Sequence, residues 1–328
     1  MTMADQGSAA ALPQYRVEVA FPDVARWAAG NTGLQHVWSF DSGHPGPHVA
    51  IQALTHGNEV CGAIALDFLL RENVRPVCGR LSLCFANVAA FRTWNPDEPF
   101  KSRFVDEDFN RVWAVSVLDG DRDSVELQRA RELRRFYDTV DYLLDIHSMS
   151  DPCPPLMLAG AHKKGVDLAL ALGFPEHIVV DAGHTAGRRL RDYGRFDDPE
   201  DPRTALLIEC GQHWTLETPV VAIQASLHFL RHFGLVGVDF IDRHLDPKPA
   251  PRQRVIEVTA SVPIRTNQFS FVWPQDGTLT VVPKAGSLVA RDGELEIRTP
   301  YDACALVMPM RRRAKPGDTA VRLGRFVS

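Results

Sequence analysis

Between residues 49 and 233, short β-rich runs alternate with helical stretches, and that alternation restricts the chain to a small set of folds. The predicted strands are 49–54, 79–86, 142–146, 177–181 and 205–210. The predicted helices are 61–72, 123–140, 164–173 and 219–233. In 123–140, Val125, Ala130, Leu133, Phe136, Tyr137 and Val140 recur between charges with a helical period. Alternation of this kind predicts a mostly parallel sheet with helices on both faces. Open sheets of this type bind ligands outside the carboxyl ends of their strands.

The texture changes near residue 245. Asp246-Pro247-Lys248-Pro249-Ala250-Pro251 reads as a stiff, extended linker. Beyond it, 255–260, 279–282, 286–290, 294–297 and 304–308 are short alternating runs bounded by Gly, Pro and Asp, the pattern of an all-β module. The expected organisation is a frayed tail over 1–13, an α/β domain over 14–246 and a β-rich domain over 247–328.

A hydrophobic fraction of 45% and a charged fraction of 23% suit an ordinary globular protein of 328 residues with a sizeable core. The net charge of −5 argues against nucleic acid or an anionic membrane as the main partner. No apolar run approaches the ~20 residues needed to cross a bilayer. Met1 to Pro13 lacks the basic-then-apolar layout of a signal peptide. A cytoplasmic location is expected, and the oligomeric state stays open, a homo-oligomer included. Cys61, Cys78, Cys84, Cys153, Cys210 and Cys304 are scattered without a Cys-x-x-Cys pair, so buried free thiols are expected.

His56-Gly57-Asn58-Glu59 follows the first strong strand, and Asp145-Ile146-His147-Ser148 ends a later one. Two imidazoles and one carboxylate are a common ligand set for a catalytic zinc with an open fourth position. If His56 ends a strand and Glu59 lies in the first turn of the next helix, both side chains converge on one ion. Gly57 is expected to permit the tight turn, and Gly62 to let the helix pack closely on the sheet. The bland alternative is a loop histidine and a helix-start glutamate favoured by the helix dipole.

Asp145 lies two residues before His147, on the same side of the strand. It either accepts the second N–H of a ligating imidazole or is a buried acid satisfied by backbone donors. Glu209 ends the apolar run Ala205 to Ile208, where an acid is costly unless paired or functional. It is the natural general base for water at an open metal site, and the later proton donor to a leaving amine. Asn110-Arg111 offers an amide and a guanidinium fork suited to a substrate carboxylate. Arg103 would face the carbonyl oxygen that becomes an oxyanion. The arginine-rich stretch 183–202 reads as a loop that either holds a second acid group or acts as a mobile lid.

Together, His56-Gly57-Asn58-Glu59 with Gly62, Asp108-Phe109-Asn110-Arg111, Asp145-Ile146-His147 and Glu209-Cys210-Gly211 resemble the succinylglutamate desuccinylase/aspartoacylase family of zinc carboxypeptidase-like hydrolases. The order and spacing fit over about residues 45 to 235. The resemblance implies a three-layer α/β/α sheet domain with a small C-terminal all-β domain. It implies one Zn2+ per chain held by His56, Glu59 and His147, and carboxylate recognition by Asn110 and Arg111. Arg103 would polarise the amide carbonyl, and Glu209 would be the catalytic carboxylate. The reaction implied is hydrolysis of a small anionic N-acyl amino acid. Phe109 departs from the commoner leucine, and Ser148-Met149 from the residues that usually follow the histidine. The tyrosine that some members use on substrate is left open between Tyr193 and Tyr301.

Two other readings use the same residues. One is a metallocarboxypeptidase acting on peptides. The other is a non-catalytic metal-binding protein that interacts through its β module.

Overall fold

The computed structural model describes residues 15–184, 186–273, 279–310 and 315–327. The predicted tail at 1–13 lies outside them. The strands that place the site are β1 (Val37–Asp41), β2 (His48–Ala53), β3 (Arg80–Phe85), β4 (Tyr142–Met149), β5 (Leu156–Leu158), β6 (His177–Val180) and β7 (Thr204–Gln212). The C-terminal strands are β8 (Arg254–Pro263), β9 (Phe269–Phe271), β10 (Leu279–Val282), β11 (Leu288–Asp292), β12 (Leu295–Arg298), β13 (Cys304–Val307) and β14 (Thr319–Phe326). The helices are α1 (Cys61–Arg71), α2 (Val88–Phe91), α3 (Val115–Leu118), α4 (Val125–Tyr137), α5 (Lys163–Leu172), α6 (Glu217–His232) and α7 (Val238–His244).

One 11-stranded sheet runs in the order β1-β3-β2-β4-β7-β5-β6-β8-β14-β13-β10, and β12-β11-β9 form a second, small sheet. Over β1 to β7 the sheet is mostly parallel, as expected, with two antiparallel pairs. β3, β2, β4 and β7 are parallel neighbours and so are β5 and β6, but β1 runs against β3 and β5 against β7. Both antiparallel strands are short and give no separate signal in the sequence. β8 pairs in parallel with β6, then β14, β13 and β10 follow antiparallel. The large sheet therefore continues into the β-rich region. A division at 246/247 is proposed on the change of element type, since only strands follow α7 among the described residues.

Side-chain alternation along the strands decides which face each residue serves. Ile51, Leu83, Ile146 and Ile208 point to the core shared with α1, α5, α6 and α7. Ala50, Cys84, Leu143 and Ala205 point to the other core, shared with Leu127, Leu133, Phe136 and Tyr137 of α4. By the same period of two, Gln52, Asp145, His147 and Glu209 lie on the α4 side. A polar row thus runs down one face of an otherwise apolar sheet.

Helix α4 starts where its chemistry predicts. The Ser124 side chain caps it by accepting from the Leu127 N–H. Four cysteines are buried as expected, whereas Cys78 and Cys153 are half-buried; all six are free.

Candidate metal centre and active site

The chain leaves β2 at Ala53 and turns through His56–Glu59 before α1 begins at Cys61. Glu59 therefore precedes the helix instead of lying in its first turn. Gly57 serves close packing more than turning. A Cβ there would lie 2.3 Å from the Ala90 carbonyl carbon and 2.4 Å from the Ser102 oxygen. Its N–H donates to the Arg103 carbonyl at 3.1 Å. Gly62 behaves as expected, with a Cβ position 2.9 Å from Ala53 Cβ and 3.0 Å from Ile146 Cβ.

His56, Glu59 and His147 converge. All three are buried, and one potential ligand atom from each lies within 4.8 Å of the others. Glu59 is the centre of the group, with Oε1 2.8 Å from His56 Nδ1 and Oε2 2.8 Å from His147 Nδ1. Each imidazole keeps its second nitrogen on an outer carboxylate. His147 Nε2 is 2.9 Å from Asp145 Oδ2, and His56 Nε2 is 2.9 Å from Asp108 Oδ1. Carboxylates in these positions fix ring orientation and raise the basicity of metal-ligating histidines.

Asp145 is bonded by side chains among the described residues, not by the backbone donors of its second reading. Its Oδ1 accepts from Thr55 Oγ1 at 2.8 Å and from Gln52 Nε2 at 3.0 Å. Tyr137 of α4 donates in turn to Gln52 Oε1. Asp108 is legible in the sequence only as part of a motif, without a role of its own. It also pairs with Arg103, whose guanidinium bridges Asp108 Oδ2 and Glu59 Oε1, each at 3.1 Å. The loop bearing both residues is held by α4. There the buried Glu126 carboxylate accepts the backbone N–H groups of Val105, Asp106 and Glu107 at 2.7, 3.0 and 3.2 Å. Nothing in the sequence singles out Glu126.

Glu209 lies on β7 in register with His147 on β4. It is buried, and its Oε2 has no hydrogen-bond partner among the described residues. Burial pushes its carboxyl well above the usual range, and the charge of Glu59 adds to this, while His147 and Arg103 oppose it. For Glu59, burial raises the carboxyl, but His56 and His147 outweigh it and hold the group well below the usual range. The two acids are thus driven apart, one ionised and one inclined to keep a proton.

Asn110 and Arg111 sit beside this group with different commitments. The Asn110 side-chain oxygen accepts the Leu190 N–H at 2.9 Å, so that amide holds the backbone at Leu190. Arg111 donates to the Asn110 carbonyl at 2.8 Å and has no ion pair among the described residues. Burial lowers its pKa to about 10, countered in part by Asp108. In the arginine-rich stretch, Arg188, Arg189 and Arg191 are paired with acids. Arg189 pairs with Asp181 and Asp192, Arg191 with Asp192 and Arg188 with Asp197. Tyr193 donates to Asp138 at 2.9 Å and Tyr301 lies 2.7 Å from Thr259 Oγ1, so neither hydroxyl bonds to the His56, Glu59, His147 group. His213 does lie near, with Nδ1 2.8 Å from Ser148 Oγ.

Residues 45–185 match the model of the succinylglutamate desuccinylase/aspartoacylase catalytic domain. The matched segment belongs to that family. A search of curated proteins returns no match. Solved structures of the family share the fold across most of the chain. A succinylglutamate desuccinylase from Vibrio parahaemolyticus superposes with a TM-score of 0.66 at 16% identity, covering 90% of this chain and 87% of its own. The Vibrio cholerae enzyme gives 0.67 at 16% identity, covering 89% and 86%. A product-bound ectoine utilization protein, EutE, from Ruegeria pomeroyi gives 0.59 at 17% identity, covering 88% of each chain. No helix among the described residues is long and apolar enough to cross a membrane.

Proposed function

We propose that this protein is a zinc-dependent hydrolase that cleaves the amide bond of a small anionic N-acyl amino acid. The observation that carries the reading is the pairing of a His56, Glu59, His147 donor set with a buried carboxylate, Glu209, on the adjacent strand, whose Oε2 has no partner among the described residues.

The residues suit a divalent cation. Glu59, Asp108, Asp145 and Glu209 bring four carboxyl groups together with two imidazoles, beside the guanidiniums of Arg103 and Arg111. Two buried imidazoles and a carboxylate, with one ligand atom from each within 4.8 Å of the others, are a donor set that suits such an ion. The neighbouring Asp145 and Glu59 carboxylates outweigh burial and hold the His147 imidazole well above its usual range. His56, Glu59 and His147 would hold the ion, which when bound supplies Lewis-acid polarisation and a more acidic water.

The chain's own groups then divide the work. Glu209 takes the proton from the attacking water and returns it to the leaving nitrogen. Arg103, fixed by Glu59 and Asp108, supports the developing oxyanion. Arg111, with no counter-ion among the described residues, grips the substrate carboxylate. Support for the substrate class comes from this guanidinium and from the family to which residues 45–185 belong. A cytoplasmic location is part of the proposal, on composition and charge.

A screen of N-acyl amino acids against short peptides tests it, using zinc-loaded protein. Hydrolysis of an N-acyl amino acid is expected. Activity confined to peptides would replace this reading with a carboxypeptidase.

A further inference from the structure

Among the described residues, Arg322 is a buried cation without a partner. It lies on β14 opposite Ser261 of β8 and Val307 of β13, only 8% exposed. No hydrogen bond or ion pair to its guanidinium is found among the described residues. The acid whose charge it feels is Asp181, but both oxygens of that carboxylate are taken by Arg189, at 2.8 and 2.9 Å. A buried guanidinium is normally paired, because desolvation is otherwise uncompensated.

Arg322 faces a cleft of about 380 Å³, walled by Asp181, Gly183 and His184 from the segment after β6 and by Thr259 and Ser261 of β8. Charge around the cleft is unbalanced. Arg189 and Arg191 are matched by Asp181 and Asp192, whereas Arg111 and Arg322 have no acid partner among the described residues. The two guanidiniums are close enough to affect one another. His184 feels both, and its Nδ1 accepts the Ala186 N–H at 3.0 Å, which leaves the ring proton on Nε2 as a donor.

We propose that this cleft is an oxyanion-binding subsite, in which a carboxylate-type group pairs with Arg322 and is donated to by His184. Two sources fit that chemistry: a second acid group on the ligand held at Arg111, or a free inorganic anion. Tying the cleft to the ligand at Arg111 rests on the hydrolase reading above; anion binding by Arg322 does not.

Isothermal titration of the full chain as purified, with succinate, acetate and inorganic phosphate, tests the subsite. Arg322→Gln should weaken succinate at least tenfold and leave acetate unchanged, and Arg322→Lys should restore part of the loss. Arg322-dependent binding of succinate but not phosphate assigns the cleft to the substrate's second acid group. Arg322-dependent phosphate binding that acetate does not displace assigns it to a free anion. Equal affinities in wild type and Arg322→Gln, or no succinate or phosphate binding by the wild type, would overturn the proposal. The last outcome holds even if the variant fails to fold. Inactivity toward N-acyl amino acids would count against the hydrolase reading alone.

Discussion

Glu209 and His147 face one another across neighbouring strands, in register between β7 and β4. The period of two that puts His147 among the metal-ligating candidates puts Glu209 on the same face, one strand away. Glu209 Oε2 has no hydrogen-bond partner among the described residues, so that oxygen is positioned without being used by the fold. Replacing it should be structurally mild and chemically severe. Glu209→Gln is expected to keep the melting temperature and metal content and to lower kcat by about 10²–10⁴-fold. Retained hydrolysis with retained metal would show that the base lies elsewhere.

Asp108 orients His56 in the way Asp145 orients His147. Removing an outer carboxylate of this kind typically weakens metal binding by roughly 10–100-fold. Asp108→Asn should therefore lower zinc affinity in a competition assay with a chelator, without unfolding the chain. Unchanged affinity would make the His56–Asp108 contact incidental.

Gly57 is the packing-limited point of the site. A side chain there must displace backbone from α2 and from Ser102. Gly57→Ala is predicted to cost about 1–3 kcal/mol or more, read as a lower denaturation midpoint together with reduced metal occupancy. A variant with wild-type stability would contradict the close approach.

His36 supplies a pH dependence away from the metal centre. Burial first, then the charges of Arg129 and Arg92, lower its pKa from 6.5 to about 4, and its Nδ1 has no partner among the described residues. Because the folded-state value lies below the unfolded one, the unfolded chain binds the proton first as pH falls. The stability contributed by the neutral ring is present above about pH 6.5 and is lost toward pH 4. A loss of roughly 1–3 kcal/mol is expected. His36→Asn, which tolerates the positive φ of 60°, should flatten the decline in denaturation measurements between these pH values. An equally steep decline in the variant would exclude His36 as its source.

The sequence exposes the site in proportion to how local its signals are. β2 and β4 are apolar runs that stop at chemically distinctive residues, so His56, Glu59 and His147 group together on sequence pattern alone. Glu209 is legible because an acid inside the Ala205–Cys210 run has no reason to be there otherwise. Asp108 and Glu126 give no local sign of their roles, because their partners lie 52 residues away at His56 and 19 to 21 residues away in the 105–107 backbone. Arg188, Arg189 and Arg191 suggest an anion site by composition, but acids from the same loop and from Asp181 neutralise them. Arg322 carries no sequence signal, since its isolation appears only once β14 pairs with β8. The antiparallel β5 is hidden because a three-residue strand has too few positions to show a period.

Metal content of the purified chain, measured by mass spectrometry alongside His56→Ala and His147→Ala, tests most directly whether His56, Glu59 and His147 form a metal centre. One zinc per chain is predicted for the wild type, falling to near zero in both variants while their circular dichroism is unchanged. One zinc per chain retained in folded His56→Ala and His147→Ala would contradict it.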